Sequence, residues 1–284
     1  MPTDDVFPLQ QAAEILRGAR RAVAFTGAGI SVESGIPPFR GPNGLWSRYD
    51  PQVLDLDYFF AHPAEAWAVI KEIFYDFFGQ AQPNPAHYAC ARLEAAGFLA
   101  GVITQNIDNL HQEAGSRRVI EYHGTSRWLT CTTCGHKVAA HPDLLRELPP
   151  KCPRCGGLLK PDFVFFGEAI PAEAQAAAWA ETRQADVWLV VGTTGEIYPA
   201  ALLPTAAKEH GASIIEVNIQ PSNYTAAITD VFLQGKASAV CTALAEAVLG
   251  NQTSVTLPPN EAGPTPKPQP PADRHGKDPS NAAS

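Results

Sequence analysis

Short apolar runs alternate with longer stretches of helical spacing along most of this chain. Residues 6–19 place Val6, Leu9, Ala13 and Leu16 at helical intervals, with Asp4 and Asp5 as candidate caps. Ala22-Val23-Ala24-Phe25 follows and reads as a buried strand. Residues 42–60, rich in Pro, Asp and aromatics, read as irregular. Residues 63–78 set Trp67, Ile70, Phe74 and Phe77 on one helical face, the expected core of a small helical module. A helix over 85–96 is closed by Gly97. Strands at 102–104 and 119–122 come next, the first ending in Gln105-Asn106-Ile107-Asp108-Asn109 and the second at His123-Gly124. After a cysteine-bearing insert over 125–165 the rhythm returns. It gives a helix over 171–184, a strand over 186–191, a helix over 199–210, a strand over 212–217, a short strand over 231–233 and a helix over 237–249.

Strands that alternate with helices in this way predict an α/β fold, a doubly wound parallel sheet of Rossmann-like type. Ligands of such sheets bind beyond the carboxyl ends of the strands. Polar clusters follow Phe25, Thr104, Tyr122, Val191 and Val217, all at such ends. The first cluster, Gly27-Ala28-Gly29-Ile30-Ser31, places glycines straight after a strand, where backbone can approach a pyrophosphate. It is a variant of the dinucleotide fingerprint, because Val32 stands at the third glycine position. The next glycine is Gly35, and a Pro-Pro-Phe-Arg lid follows.

Composition narrows the function classes. The chain has 284 residues, 45% hydrophobic and 18% charged, enough for one large domain or for one large plus one small. A net charge of −8 argues against a broad nucleic-acid surface. No apolar stretch reaches the length of a membrane span, and the first residues lack the pattern of a signal peptide. Eight of the last 34 residues are proline, so 251–284 reads as a disordered tail. Cys131-x2-Cys134 and Cys152-x2-Cys155 form two knuckles with the spacing of a four-thiolate zinc site. A redox dithiol needs one such pair and leaves the second unexplained. Four protein ligands close the coordination sphere, so the metal expected is structural zinc, and the compartment expected is a reducing cytoplasm. Cys90 and Cys241 read as small buried hydrophobes.

Taken in order, these motifs resemble the sirtuin family. The resemblance rests on Gly27-Ala28-Gly29-Ile30-Ser31, Gly35-Ile36-Pro37 with Phe39-Arg40, and Thr104-Gln105-Asn106-Ile107-Asp108 with Leu110-His111. It continues through His123-Gly124, the paired knuckles, Phe165-Phe166-Gly167-Glu168, Gly192-Thr193-Thr194 and Val217-Asn218. It runs across residues 8–249 and implies a catalytic domain over 1–250. The larger NAD-binding part is expected from about 8–40, 86–124 and 166–250, and the smaller module from about 41–85 and 125–165.

The resemblance implies NAD-dependent removal of acetyl, or longer neutral acyl, groups from protein lysines, giving nicotinamide and O-acyl-ADP-ribose. It makes His123 the general base on a ribose hydroxyl, and gives Asn106 and Asp108 the orienting of ribose and nicotinamide. It assigns to NAD binding Gly27, Ala28, Gly29, Ile30, Phe39, Arg40, Trp46, Gln105, Ile107, Gly192, Thr193, Thr194, Asn218, Lys236 and Ala237. Val164, Phe165, Phe166 and Gly167 on one side, and Gly195, Glu196 and Ile197 on the other, are implied to hold an extended acyl-lysine peptide. Departures from commoner family patterns are Pro38 in the lid, Thr194 for a frequent Ser, and Glu196 where an apolar residue is common. Ile70 and Ile73 stand where acid-selective relatives carry Tyr and Arg. A mono-ADP-ribosyltransferase using the same NAD site is the alternative activity, and a non-catalytic reader of NAD or acyl-peptide is the other.

Overall fold

The computed structural model describes residues 3–39 and 44–250. Arg40 and the tail 251–284, both subjects of expectations above, lie outside the described residues. In chain order the elements begin with α1 (Thr3–Gly18) and β1 (Ala22–Thr26), then a 3-10 segment over Ala28–Ser34. Next come α2 (Leu56–Ala61), α3 (Pro63–Ile70), a π turn over Lys71–Phe77 and α4 (Pro85–Ala95). The chain continues through β2 (Val102–Thr104), α5 (Leu110–Glu113), β3 (Val119–Glu121), β4 (Gly124–Cys131), β5 (Lys137–Ala139) and β6 (Leu159–Phe163). It closes with α6 (Ala172–Gln184), β7 (Val187–Val191), α7 (Leu202–Glu209), β8 (Ser213–Asn218), β9 (Val231–Gln234) and α8 (Ala237–Leu249).

The main sheet has six strands in the order β3-β2-β1-β7-β8-β9, and every neighbouring pair is parallel. Alternate residues of a strand point to opposite faces. Here both sets are apolar, so both faces must be covered. Ala22, Ala24, Val187, Leu189, Val191, Ile215 and Val217 pack with Ala13, Leu16, Cys90, Leu93, Cys241 and Leu244 of α1, α4 and α8. Val23, Phe25, Trp188, Val190 and Ile214 pack with Ala178 of α6 and Leu203 and Ala207 of α7. The doubly wound expectation is met. Cys90 and Cys241 are buried as expected, and burial pushes the Cys90 thiol up to about 12.

Several local expectations change. Asp4 and Asp5 fall inside α1 rather than ahead of it. Of the stretch 42–60, the described residues 44–60 are less irregular than their composition suggests: they hold 3-10 turns at Leu45–Ser47 and Pro51–Leu54 and most of the helix α2. Asp55 explains α2, since its side chain accepts from the backbone N–H groups of Asp57 and Tyr58. The helix over 199–210 begins only at Leu202. The helix over 63–78 is α3 running into the π turn, and the wider turn rotates the apolar stripe. Ile73 and Phe74 are buried there, while Phe77 is 52% exposed.

A third core lies apart from the sheet. It joins Ile36 and Leu45 from either side of the lid, Phe59, Trp67, Ile70, Ile73 and Phe74 of the helical insert, and Leu129, Cys131, Cys152, Leu159, Phe163 and Phe165 of the cysteine-bearing insert. Two inserts distant in sequence therefore share one interior. Fully buried Trp67 spans them, its indole N–H donating to the carbonyl of Leu159 at 2.9 Å. Trp67→Phe removes the donor and leaves that buried carbonyl unpaired. We expect a loss of about 1–3 kcal/mol in unfolding free energy by denaturant titration.

Candidate functional site

β1, β2, β3 and β7 lie side by side and run the same way, so the polar segments that leave them meet along one edge of the sheet. The glycine segment after β1 rests on the turn after β7. Gly27 N–H donates to Val191 O at 3.0 Å and Gly29 N–H to Gly192 O at 2.8 Å. Gly192 has φ +64°, and a Cβ on it would lie 2.6 Å from the Gly29 carbonyl carbon. Any side chain there would force the two loops apart. Gln105, after β2, donates from its amide to Thr193 Oγ1 at 3.1 Å. Asn218, at the end of β8, donates to Thr193 O at 3.0 Å. Gln105, Thr193, Asn218 and the glycine segment are thus brought into one constellation.

Asn106 and Asp108 meet the glycine segment through Ser31. The Asn106 amide donates to Gly27 O at 3.2 Å and to Ser31 Oγ at 3.1 Å. Ser31 donates to Asp108 Oδ2 at 2.6 Å, and Asp108 Oδ1 accepts from Leu110 N–H at 3.1 Å. Burial pushes the Asp108 carboxyl above its usual range, and these hydrogen bonds oppose the shift. Behind Ser31 stands His87, whose Nδ1 accepts from Asn84 N–H at 3.2 Å. Its Nε2 therefore carries the proton in the neutral ring and faces Ser31 Oγ at 3.4 Å. His111 packs edge-on against His87 with 4.9 Å between ring centroids, and its Nε2 lies 3.0 Å from Thr26 Oγ1. Burial lowers both imidazoles, His87 to about 4, so both are neutral near neutral pH. His87 and Asn84 were missed by sequence reading. Spacing along α4 marks His87 only as a residue on a buried helix face.

His123 occupies the link between the two sheets, just after β3 and just before β4. Val164 N–H donates to His123 O at 2.9 Å, which ties this link to the segment after β6. Gly124 has φ +75°, and a Cβ there would collide with Asp162 O. His123 Nδ1 sits 3.0 Å from Gln105 O. A carbonyl oxygen only accepts, so Nδ1 bears the proton and Nε2 is the basic atom of the neutral ring. Burial lowers the His123 pKa, and the Gln105 contact offsets part of that shift.

The lid neck is a short paired segment: Leu45 N–H donates to Pro38 O at 2.9 Å and Trp46 N–H to Phe39 O at 3.1 Å. Phe39 packs on Trp46 at 5.5 Å and on Phe74 at 6.5 Å, and Trp46 lies 6.4 Å from Phe166. Ile107 and Phe39 border the third core, which includes Phe165. Val164 and Gly167 continue the chain beside Phe166, which is 47% exposed and pairs through Asp55 with the start of α2. Thr194 and Glu196 are exposed and joined by a 3.2 Å hydrogen bond, with Ile197 half-buried beyond them. Ala28 opens the 3-10 segment and Ile30 is fully buried. Lys236 and Ala237 form the start of α8, whose Ser238 N–H is already taken by Glu33.

The four knuckle cysteines come together: all their Sγ atoms lie within 4.8 Å of one another, with three pairs at 3.4, 3.5 and 3.8 Å. A tetrahedron with Zn–S bonds of about 2.3 Å has edges of about 3.8 Å, so the donor set fits a zinc ion. Cys131, Cys134, Cys152 and Cys155 would hold it and leave no position for water.

A family model described as the Sir2 family matches residues 27–199. The chain belongs to the Sir2 family. This sirtuin is 50% identical over 240 residues to the NAD-dependent protein deacylase 2 of Pyrobaculum aerophilum, covering 83% of the chain and 94% of that protein. It is 47% identical over 236 residues to the NAD-dependent protein deacylase of Pyrococcus abyssi, covering 81% and 94%. Among solved structures, a Sir2 homolog–NAD complex matches at 41% identity with a TM-score of 0.78, covering 84% of this chain and 93% of that one. A Sir2–p53 peptide–NAD+ complex matches at 36% identity with a TM-score of 0.76, covering 82% and 95%.

Because Cys131 and Cys152 belong to the same core as Trp67 and Ile70, metal loss is expected to loosen the helical insert as well as the knuckles. Metal analysis should find about one zinc per chain, the capacity of one four-thiolate site. Chelation or Cys131→Ala should change tryptophan fluorescence and lower the unfolding midpoint.

Proposed function

We infer that this sirtuin is an NAD-dependent protein-lysine deacylase that transfers the acyl group to ADP-ribose and releases nicotinamide. The observation that carries the reading is the convergence at one sheet edge of the glycine segment, Gln105, Asn106, Asp108, His123 and Thr193, in the order of the family's motifs. His123 Nε2 is the general base toward a ribose hydroxyl of NAD. Asn106 and Asp108, held by Ser31, orient ribose and carboxamide. Gly27, Ala28, Gly29, Ile30, Gly192, Thr193 and Thr194 line the dinucleotide, with Gln105, Ile107, Asn218, Lys236 and Ala237 completing its surface. Phe39, Trp46 and Arg40 belong to the lid that shields the reacting carbon from water. The acyl-lysine peptide lies between the edges Val164–Gly167 and Gly195–Ile197. Zinc on the four cysteines supplies folding energy to the small module rather than chemistry. Residues 1–250 form the catalytic unit, with the NAD-binding part and the small module divided as the sequence suggests. No described helix is long and apolar enough to cross a membrane; the cytoplasmic location proposed with this reading is supported by the reduced cysteines a four-thiolate site needs.

ADP-ribosyl transfer to another nucleophile would use the same NAD surface. The products decide: deacylation yields free lysine peptide, nicotinamide and O-acyl-ADP-ribose in equal amounts. His123→Ala should lower kcat by about two or more orders of magnitude while NAD binding changes far less. The base works as the neutral ring. With its pKa lowered by burial, the acidic limb of kcat/KM should fall below pH 6.5, and activity should persist into mildly acid buffer. An acidic limb above that pH would contradict the assignment.

Ile70 and Ile73 are buried among Phe74, Phe163 and Phe165, and the cation over Phe165, Lys160, is already paired with Glu168 at 2.8 Å. A succinyl group would lose hydration there at a cost of several kcal/mol. Acetyl-lysine peptide should therefore exceed its succinyl counterpart in kcat/KM. Equal rates would implicate Arg48, which shares a cavity of about 300 Å³ with Ile73, Tyr49 and Phe77.

A further inference from the structure

We propose that Glu216 is a positioning residue for both substrates, acting through the segment 222–229 on the backbone of Thr194 and Gly195; this rests on the functional reading above. Glu216 lies in β8 opposite Val190 of β7, and alternation places it on the face that carries Ile214, Val190 and Trp188. It is fully buried, and among the described residues no cation pairs with it. A valine would fill such a strand position without desolvating a carboxyl group. What the carboxyl group supplies is an acceptor for a neighbouring segment. Its Oε2 accepts from Thr225 Oγ1 at 2.8 Å and from Thr229 Oγ1 at 2.7 Å.

The anchored segment reaches the candidate site. Asn223 N–H donates to Thr194 O at 3.1 Å, and its side chain lies 3.4 Å from Gly195 O. The Tyr224 ring sits so close beneath Gly195 that a Cβ there would lie 2.9 Å from it. Tyr224 OH in turn donates to Ala201 O at 3.1 Å. The far end of the segment is fixed independently, since Asp230 accepts from Ile214 N–H at 2.8 Å. Glu216 therefore holds the middle of a wedge whose outer side supports the backbone that meets NAD at Thr193–Thr194 and peptide at Gly195–Ile197. Without the anchor, that backbone keeps its sequence but loses its placement. The cost then falls on binding of both substrates rather than on the chemical step.

The test uses the full chain and four proteins: wild type, Glu216→Ala, Glu216→Gln, and the pair Thr225→Val with Thr229→Val. Each is assayed with an acetyl-lysine peptide and NAD, and titrated with ADP-ribose by calorimetry, at a temperature where circular dichroism shows it folded. Glu216→Ala and the paired threonine variant should raise KM for NAD and for peptide on the order of tenfold, with kcat within about twofold. ADP-ribose affinity should weaken in step. Glu216→Gln keeps a carbonyl oxygen for both hydroxyls and should stay near wild type. A folded Glu216→Ala with unchanged KM values and unchanged ADP-ribose affinity overturns the proposal, as does a Gln variant as impaired as Ala. If Glu216→Ala does not fold, the threonine pair, which leaves β8 intact, decides on the same readings. A wild type that binds ADP-ribose but turns over no acyl peptide would defeat the deacylase reading instead, and ADP-ribose affinity would still decide the role of Glu216.

Discussion

Because all six strands of the main sheet run the same way, every loop that leaves a carboxyl end emerges along one edge, and every apolar side chain is committed to one of two covered faces. The interior leaves no room for chemistry, and the edge collects it. That single directional constraint brings together residues as far apart in sequence as Gly27, Gln105, His123, Thr193 and Asn218. Close approach of Gly29 to Gly192 completes the arrangement, because the absence of side chains at that crossing lets the first and seventh strand ends share one surface.

The second organising feature is a core that belongs to two inserts at once. Helices after the lid and strands around the cysteines would each be too small to bury a stable interior alone. Together they enclose Trp67, Ile70, Phe163 and Phe165, with Cys131 and Cys152 at the border. A four-thiolate cluster whose spacing fits zinc thereby helps to hold the floor under Phe39 and Trp46. His123 stands where this module meets the main sheet, one residue before β4, so its ring position depends on both.

Polar groups placed inside this architecture are there by exception. His87, His111, Asn84 and Glu216 are buried amid apolar packing, where an unpaired group is costly. Hydrogen bonds lead outward from each of the four: His87 to Ser31 and so to Asp108, His111 Nε2 to Thr26, Asn84 to Ile30 O and Ser34, and Glu216 Oε2 to the segment under Thr194, while His111 Nδ1 and Glu216 Oε1 have no partner among the described residues. Their directions are set by chemistry. An imidazole nitrogen that accepts from a backbone N–H must present its proton on the other side, and a carbonyl facing His123 Nδ1 leaves the lone pair of the neutral ring on Nε2.

The sequence by itself determined the parallel α/β class, the strand ends that carry polar clusters, and the cysteine spacing. Period, burial and knuckle geometry are local properties, and the strands at 102–104 and the helix at 237–249 appear where the pattern puts them. Local pattern did not determine the π turn over Lys71–Phe77, the helix α2 inside a stretch of irregular composition, or the late start of α7. Nor did it reveal which buried polar residues touch the edge. A histidine on the inner face of α4 and a glutamate inside β8 look the same in sequence as any misplaced polar residue. Only the packing of α4 against the glycine segment, and of 222–229 against β8, gives them partners, because a hydrogen bond is fixed by distances between chain segments that sequence spacing does not encode.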